Sequence, residues 1–247
     1  MGQPCDNCAS PCCRNYNVVI TLVDAYRIAT TLRMPITEIA EMRYIDEPDG
    51  EYRIKLSGNA EAEPRFHRVV LRKAVDPDPQ YTGRCIFLLS VGDRGRCGIY
   101  GMRPFVCSTY PTSYDDGFIG LNAGGKYCPP NSWHLEQIDV AMFRSRQSKR
   151  SKQKQMHDLL VTAWNNRLAD EKRESSVTEF FAYCTTACGE LERLVPGSTA
   201  LDDTIGTDID VPTAVEEAIE RFGWTRTTHL PPIAPSSDNT SPTEAAQ

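Results

Sequence analysis

The chain has 247 residues and a net charge of −6, which allows one large or two small folded domains with a real hydrophobic core. Its acidic balance argues against a broad surface for binding nucleic acid. Ten cysteines in 247 residues are about 4 %, below the roughly 8–10 % of a short scaffold held by disulfides. We therefore expect the cysteines to do something other than staple the fold.

The sequence also predicts a compartment. It has no uninterrupted apolar stretch of about 18 residues, and its first residues lack the basic and apolar regions of a secretory signal. Asp6 stands where N-myristoylation prefers Ser or Thr. We therefore expect a cytoplasmic protein with no membrane partner. In a reducing cytoplasm, clustered cysteines bind metals or do redox chemistry more often than they form disulfides.

The first 130 residues predict short elements. Thr21 and Asp24 have the spacing of a capping box, which predicts the start of a helix. Alternation and apolar runs predict strands at 17–20, around 52–56, at 66–70 and at 85–89, and helical spacing predicts a short helix at 36–42. From Cys97 to Cys128 the chain is rich in Gly, Pro, Tyr and Ser. That composition predicts a long irregular segment ordered by something else, such as a metal.

The second half predicts helices. They start near Trp133, continue through an apolar face at 156–168, restart at the cap formed by Ser176 and Glu179, and end with a helix around 215–222. The last residues are rich in Pro, Ser and Thr, which predicts a disordered tail. The expected class is α+β. We expect a cysteine-rich metal-binding module at 1–130, a helical region packing on it at 131–224, and the tail at 225–247.

The stretch CDNCASPCC contains four cysteines in nine residues. Cys5 and Cys8 have the spacing with which one short turn presents two thiolates to one ion. Cys12 and Cys13 are neighbours, whose side chains point in different directions, so they would serve different metals or different corners of one cluster. Four further cysteines lie outside the predicted helices, at Cys85, Cys97, Cys107 and Cys128. Eight thiols suffice for two tetrahedral sites, or for one cluster and a redox or structural remainder.

A cysteine can also be a small buried apolar residue. For the dense stretch at residues 5–13 we favour metal binding over that role and over disulfide pairing. Cys184 and Cys188 are different, because they are four residues apart on a predicted helix face that carries Phe180, Leu191 and Val195. We expect that pair to pack in the core.

These residues together resemble the YkgJ-type cysteine-cluster family. The resemblance covers roughly residues 5–130, and its most specific part is CGIYGMRPFVCSTYP, from Cys97 to Pro111. It implies a zinc- or iron-chelating protein with eight characteristic cysteines. Two features depart from the family pattern: three residues rather than two separate Cys8 from the vicinal pair, and Ser108 stands where many members have Arg. The family in turn resembles the cysteine-rich part of flagellin lysine methylases, but no methyl-donor site is recognisable here.

Other chemistry is not indicated. No Walker-type or dinucleotide-type glycine loop is present, and the three-cysteine spacing of radical enzymes that use S-adenosylmethionine is absent. The four histidines are scattered. The basic run at 144–155 is best interpreted as a solvated helix face, and nucleic-acid binding is not indicated. Arg103 lies between two predicted ligands, where it would either compensate the charge of a thiolate cluster or form an ordinary surface ion pair.

Sequence does not separate an iron–sulfur cluster from zinc, since thiolates suit both. The uneven spacing is unlike the matched knuckles of a zinc ribbon, which favours iron slightly. Three classes stay open: a redox or electron-transfer protein, a metal-dependent modifying enzyme, and a structural zinc protein with a binding role. No motif identifies a protein partner or a catalysed reaction.

Overall fold

The computed structural model describes residues 8–46, 53–58, 65–81, 83–92, 94–115, 118–121, 127–128, 139–194 and 210–222. The helices are α1 Pro11–Asn15, α2 Leu22–Leu32, α3 Ile36–Ile39, α4 Phe105–Thr109, α5 Val140–Glu171, α6 Val177–Arg193 and α7 Val211–Arg221. The strands are β1 Ala40–Ile45, β2 Ile54–Lys55, β3 Phe66–Leu71, β4 Lys73–Ala74, β5 Arg84–Cys85, β6 Leu88–Val91, β7 Arg94–Cys97, β8 Thr112–Asp115 and β9 Phe118–Leu121. Short antiparallel strands therefore precede a mainly helical region, and the α+β prediction is confirmed.

The largest sheet has the order β1-β3-β2, with every pairing antiparallel. Its register pairs Ala40 with Leu71 and Ile45 with Phe66. The prediction of a helix through Met42 was wrong beyond Ile39. Ala40 to Met42 instead extend along β3, because the backbone hydrogen bonds of a paired strand outweigh a weak local preference for helix.

Three further predictions about the first half need correction. The predicted strand at 17–20 is only an isolated antiparallel bridge between Val19 and Val70. The apolar run at 85–89 is not one buried strand: Cys85 ends β5, a turn follows, and Leu88 starts β6, where Leu89 is 57 % exposed. Cys85 pairs with Lys73 and Leu88 pairs with Cys97, so two different partners divide the run. The segment after Cys97 is also less irregular than predicted, because it contains a 3-10 turn, α4 and the β8–β9 hairpin.

The predicted start of α2 and the helical predictions for the second half are confirmed where the structure describes them. Thr21 and Asp24 form the complete capping box of α2, and the Ser176 side chain accepts the backbone N–H of Glu179 at the start of α6. Residues of both halves share one hydrophobic core, in which Ile20, Leu22 and Ile28 join Trp164 and Phe180. Among the described helices, none is long and apolar enough to span a membrane.

Several predictions fall outside the described residues. These are the helix start near Trp133, the strand residues before Arg53, the module boundaries at 130 and 224, and the tail at 225–247. They stay predictions.

One buried contact between α5 and α2 makes stability depend on pH. His157 is fully buried and its Nδ1 accepts the backbone N–H of Leu22 at 3.1 Å, which requires a neutral imidazole. Burial lowers the pKa of His157 from 6.5 to about 3, and Lys154 adds to the decrease. Between these two pKa values His157 is protonated in the unfolded chain and neutral in the folded chain. Its contribution to the free energy of unfolding is therefore complete above about pH 6.5 and decreases as the pH falls towards 3.

We expect the free energy of unfolding of the metal-free protein to fall by about 1.4 kcal/mol per pH unit between about pH 6 and pH 5 because of His157. Urea titrations at several pH values measure this slope. Burial also lowers the pKa of His67, so the informative quantity is the difference between the wild type and His157→Gln. Equal slopes in the two proteins would contradict the assignment.

Candidate metal centre

Cys12 and Cys13 lie on α1, a five-residue helix that starts at Pro11. Its N-cap, Ser10, has left-handed backbone angles (φ 56°, ψ 47°), and its Oγ donates a hydrogen bond to the carbonyl of Gly95 at 2.9 Å. A Cβ added at Gly95 would lie 2.7 Å from that Oγ, so only glycine permits this approach. The turn before α1 is thereby fixed to β7, the strand that ends at Cys97.

The other end of α1 is fixed by Arg14. Its Nη1 donates to both carboxylate oxygens of Asp76 at 2.6 Å, and the Asp76 side chain is fully buried. Lys73 Nζ donates to the Arg14 carbonyl at 2.8 Å. Since Lys73 pairs with Cys85 across the β4–β5 ladder, these contacts hold the vicinal cysteines beside Cys85.

Five of the eight predicted ligands affect one another's ionisation, and we call them the cysteine cluster: Cys12, Cys13, Cys85, Cys97 and Cys107. The hydrogen bond from Cys13 lowers the pKa of Cys12 to about 7, although burial opposes this decrease. The same hydrogen bond, followed by burial, raises the pKa of Cys13. Within this pair the thiolate is therefore favoured on Cys12 and the proton on Cys13.

The remaining three thiols of the cluster are held protonated. Burial raises the pKa of Cys85 to about 11, and it raises the pKa of Cys97 and, more strongly, of Cys107. The neighbouring sulfurs add to the increase for each of them. All of the described cysteines are free thiols, so the cluster is not a set of disulfides.

Arg103 is a cation beside the cluster. Its guanidinium lies over the ring of Tyr100, 4.1 Å from the ring centroid. The positive charge of Arg103 lowers the pKa of Cys97, against the larger effect of burial, which raises it. It also lowers the pKa of Cys12, in the same direction as the hydrogen bond from Cys13. Arg103 is thus placed to compensate thiolate charge, which is one of the two roles that the sequence left open.

Cys8 and Cys128 lie beside other groups. The Cys8 Sγ accepts the backbone N–H of Ser10 at 3.3 Å. The pKa of Tyr110 is raised first by burial, then by its hydrogen bond with Tyr16, and to a smaller extent by Cys128, which also hydrogen-bonds to it. Tyr110 and Tyr127 both contact the ring of Tyr16 at the end of α1, at centroid distances of 5.6 and 4.8 Å. Cys5 lies outside the described residues.

The five thiols of the cysteine cluster lie close enough to affect one another's ionisation without forming a closed coordination sphere. Within the described ranges, no three Cys, His, Asp or Glu side chains are arranged as the ligands of one ion. The chemistry of the cluster nevertheless suits a soft metal, because several thiols on short elements lie beside two cations, Arg103 and Lys73, that favour thiolates.

Cys184 and Cys188 lie elsewhere. Both are 0 % exposed on α6, in the core with Phe180 and Leu191. Burial raises the pKa of Cys188 to about 12 and also raises the pKa of Cys184 well above its usual range. Their predicted place in the core is confirmed.

Sequence reasoning missed the groups that support the cluster. Asp76 and Lys73 carried no signal, because their contacts with Arg14 span 62 and 59 positions. Asp24 was recognised as a helix cap, but nothing near it in the sequence indicates that its carboxylate also reaches the backbone of Phe105, 81 positions away.

Comparison with known families gives one match. The family model CxxCxxCC, described as "putative zinc- or iron-chelating domain", matches residues 4–131. That range contains all eight predicted ligands. The match confirms the resemblance to a cysteine-cluster family that the motifs predict. Comparisons with curated proteins and with solved structures found no match.

Proposed function

We propose, from the premise that the chain belongs to the CxxCxxCC family of zinc- or iron-chelating domains, that its cysteines hold an iron–sulfur cluster. The observation that carries this proposal is the cysteine cluster with Arg103 beside it. We propose Cys12, Cys13, Cys85, Cys97 and Cys107 as ligands, together with Cys5, Cys8 and Cys128 from the motif.

The protonation of the cluster supports a metal-binding role. Buried thiols with raised pKa values gain most from a cation, because coordination replaces the proton and removes the cost of an isolated buried thiolate. Metal binding would therefore release protons, and its affinity would fall as the pH decreases. A bound iron–sulfur cluster would supply one-electron redox chemistry, and Arg103 would favour its more negative state.

A structural zinc site is the second candidate. It is favoured by the shortness of the elements that carry the cluster: α1 and α4 have five residues each, β5 has two and β7 has four. Elements of this length are marginal by themselves. A tetrahedral ion that joins them would contribute directly to folding.

Oxygen-free purification, followed by an absorption spectrum and iron, sulfide and zinc analysis, separates these candidates. An iron–sulfur protein would be brown, with visible charge-transfer bands and matched iron and sulfide. A colourless protein with stoichiometric zinc would overturn the iron–sulfur proposal in favour of the structural site. Absence of both metals, even after reconstitution of the reduced protein with each of them, would overturn both candidates.

A further inference from the structure

Asp24 is a buried carboxylate where α2, α4 and α5 meet, and it is 2 % exposed. Its Oδ2 completes the α2 capping box by accepting from the backbone N–H and the hydroxyl of Thr21, at 3.4 and 3.2 Å. Its Oδ1 accepts from groups outside that box, the backbone N–H of Phe105 at 3.3 Å and Nε2 of Gln153 at 3.2 Å. One side chain therefore joins three helices.

The bond to Phe105 gives α4 a cap that its own sequence lacks. The N-cap of α4 is Pro104, whose side chain makes no capping hydrogen bond. Phe105 is the first residue of α4, and its N–H is one of the amides that a helix leaves without an intrahelical acceptor. A carboxylate at this end satisfies that amide and complements the helix dipole. Cys107 follows two residues later on the same short helix.

Arg27 strengthens this attachment. Its Nη2 lies 3.3 Å from Asp24 Oδ1, within a buried ion pair, and donates to the carbonyl of Arg103 at 3.1 Å. Two side chains one turn apart on α2, Asp24 and Arg27, thus bind the backbone on both sides of Pro104. This is the stretch that connects the 3-10 turn after Cys97 to α4.

Gln153 brings α5 into the same network. Gln153 is 0 % exposed, and its side-chain Nε2 donates a hydrogen bond to Asp24. Its Oε1 accepts no hydrogen bond within the described part of the chain. The buried amide is therefore oriented towards Asp24, and α5 also packs directly against α4.

We propose that Asp24 and Gln153 are positioning residues for Cys107, through which the helical region sets the metal affinity of the cysteine cluster. The proposal rests on the proposed function for its metal. Gln153 fixes the Asp24 carboxylate from the α5 side, Asp24 fixes the first turn of α4, and that turn orients the Cys107 thiol towards Cys85, Cys12 and Cys97. Neither residue is proposed as a metal ligand.

The test compares two substitutions on α5. Gln153→Met keeps the side-chain volume and removes the bond to Asp24. Asn165→Leu is the matched control, because Asn165 likewise hydrogen-bonds from α5 to a distant part of the chain. It accepts from the Lys55 backbone N–H at 2.8 Å and donates to the Arg53 carbonyl at 2.7 Å, on the β2 side of the helix. Zinc affinity is measured on the full chain by competition with a chromophoric chelator.

We expect Gln153→Met to weaken zinc binding about tenfold, the usual cost of losing a group that orients a ligand, and Asn165→Leu to leave it within about twofold. Unchanged affinity in Gln153→Met, or equal losses in both variants, would overturn the proposal. Asp24→Asn is a second variant should Gln153→Met fold poorly. It keeps the volume but offers one acceptor in place of two oxygens, and we expect a loss at least as large.

A metal-free measurement separates this proposal from the proposed function. Hydrogen exchange followed by mass spectrometry reports on peptides that contain residues 103–109. We expect faster exchange there in Gln153→Met than in the wild type or Asn165→Leu, at conditions where all three stay folded. If the wild type binds neither zinc nor iron, the proposed function fails, yet this measurement still decides whether Gln153 orders α4. Unchanged exchange would overturn the positioning role.

Discussion

Replacing Cys107 by serine is expected to reduce bound metal by at least about tenfold. Burial and the neighbouring sulfurs already raise the pKa of this thiol, so only a cation can hold it as a thiolate. A serine hydroxyl stays protonated near neutral pH and is a poor ligand for zinc or iron. The measurement is metal content per chain after oxygen-free purification, with Cys97→Ser expected to behave in the same way.

Cys184→Ser is the matched control, because it makes the same atomic change at a fully buried thiol of α6. Its metal content should equal that of the wild type. The substitution should cost only the burial of a hydroxyl, roughly 1–3 kcal/mol where no partner is found. If Cys184→Ser loses as much metal as Cys107→Ser, the division into eight ligands and two core cysteines is wrong, and the metal site would extend into the helical region.

Replacing Trp164 by alanine is expected to lower the free energy of unfolding by about 3–5 kcal/mol. Trp164 is 1 % exposed, and its ring contacts Phe180 and Tyr183 at centroid distances of 5.1 and 5.3 Å. Its Nε1 donates to the carbonyl of Lys55 at 2.7 Å. The substitution therefore removes aromatic packing and leaves a partly buried carbonyl of β2 without this donor. Urea unfolding of the metal-free chain measures the loss.

Trp164→Phe separates the two contributions. It keeps most of the packing and removes the Nε1 donor to a partly buried carbonyl, so it should cost about 1 kcal/mol, the net contribution of a typical hydrogen bond. A loss below about 1 kcal/mol for Trp164→Ala would show that the site collapses around the smaller side chain. In that case the core around α5 and α6 would be looser than these contacts indicate.

Local patterns predicted the parts of the fold that depend on local contacts. The capping box of Thr21 and Asp24, and the cap formed by Ser176, join residues three positions apart, so spacing alone reveals them. The buried face of α5, from Met156 to Leu168, follows from helical periodicity. Such signals need no knowledge of the rest of the chain.

Elements decided by distant partners were not predictable in this way. Ala40 to Met42 belong to a strand only because Val69 to Leu71 pair with them. The run at 85–89 is divided between two strands because Cys85 pairs with Lys73 and Leu88 pairs with Cys97. No single window of sequence contains both partners, and propensity is too weak to decide alone.

The candidate site shows the same division. Residue type and clustering singled out the eight cysteines, and the structure brings five of them into electrostatic contact. Their roles as ligands stay a prediction, as does the contribution of Cys5. The sequence could not predict the hydrogen bonds that hold α4 in place. Asp24 accepts from Phe105, which is 81 positions away, and from Gln153, which is 129 positions away.

The attachment of Arg14 has a consequence for the order of events during synthesis. A five-residue helix such as α1 does not persist in isolation, and its fixing partners are Lys73, Asp76 and Ser90. The vicinal cysteines therefore leave the ribosome long before anything can hold them in place. At roughly 5–20 residues per second, several seconds pass in which both thiols are exposed to oxidants and stray metals. Arg14 can hold the vicinal cysteines in place only after the chain has grown past β6, and the predicted ligands Cys97 and Cys107 emerge later still.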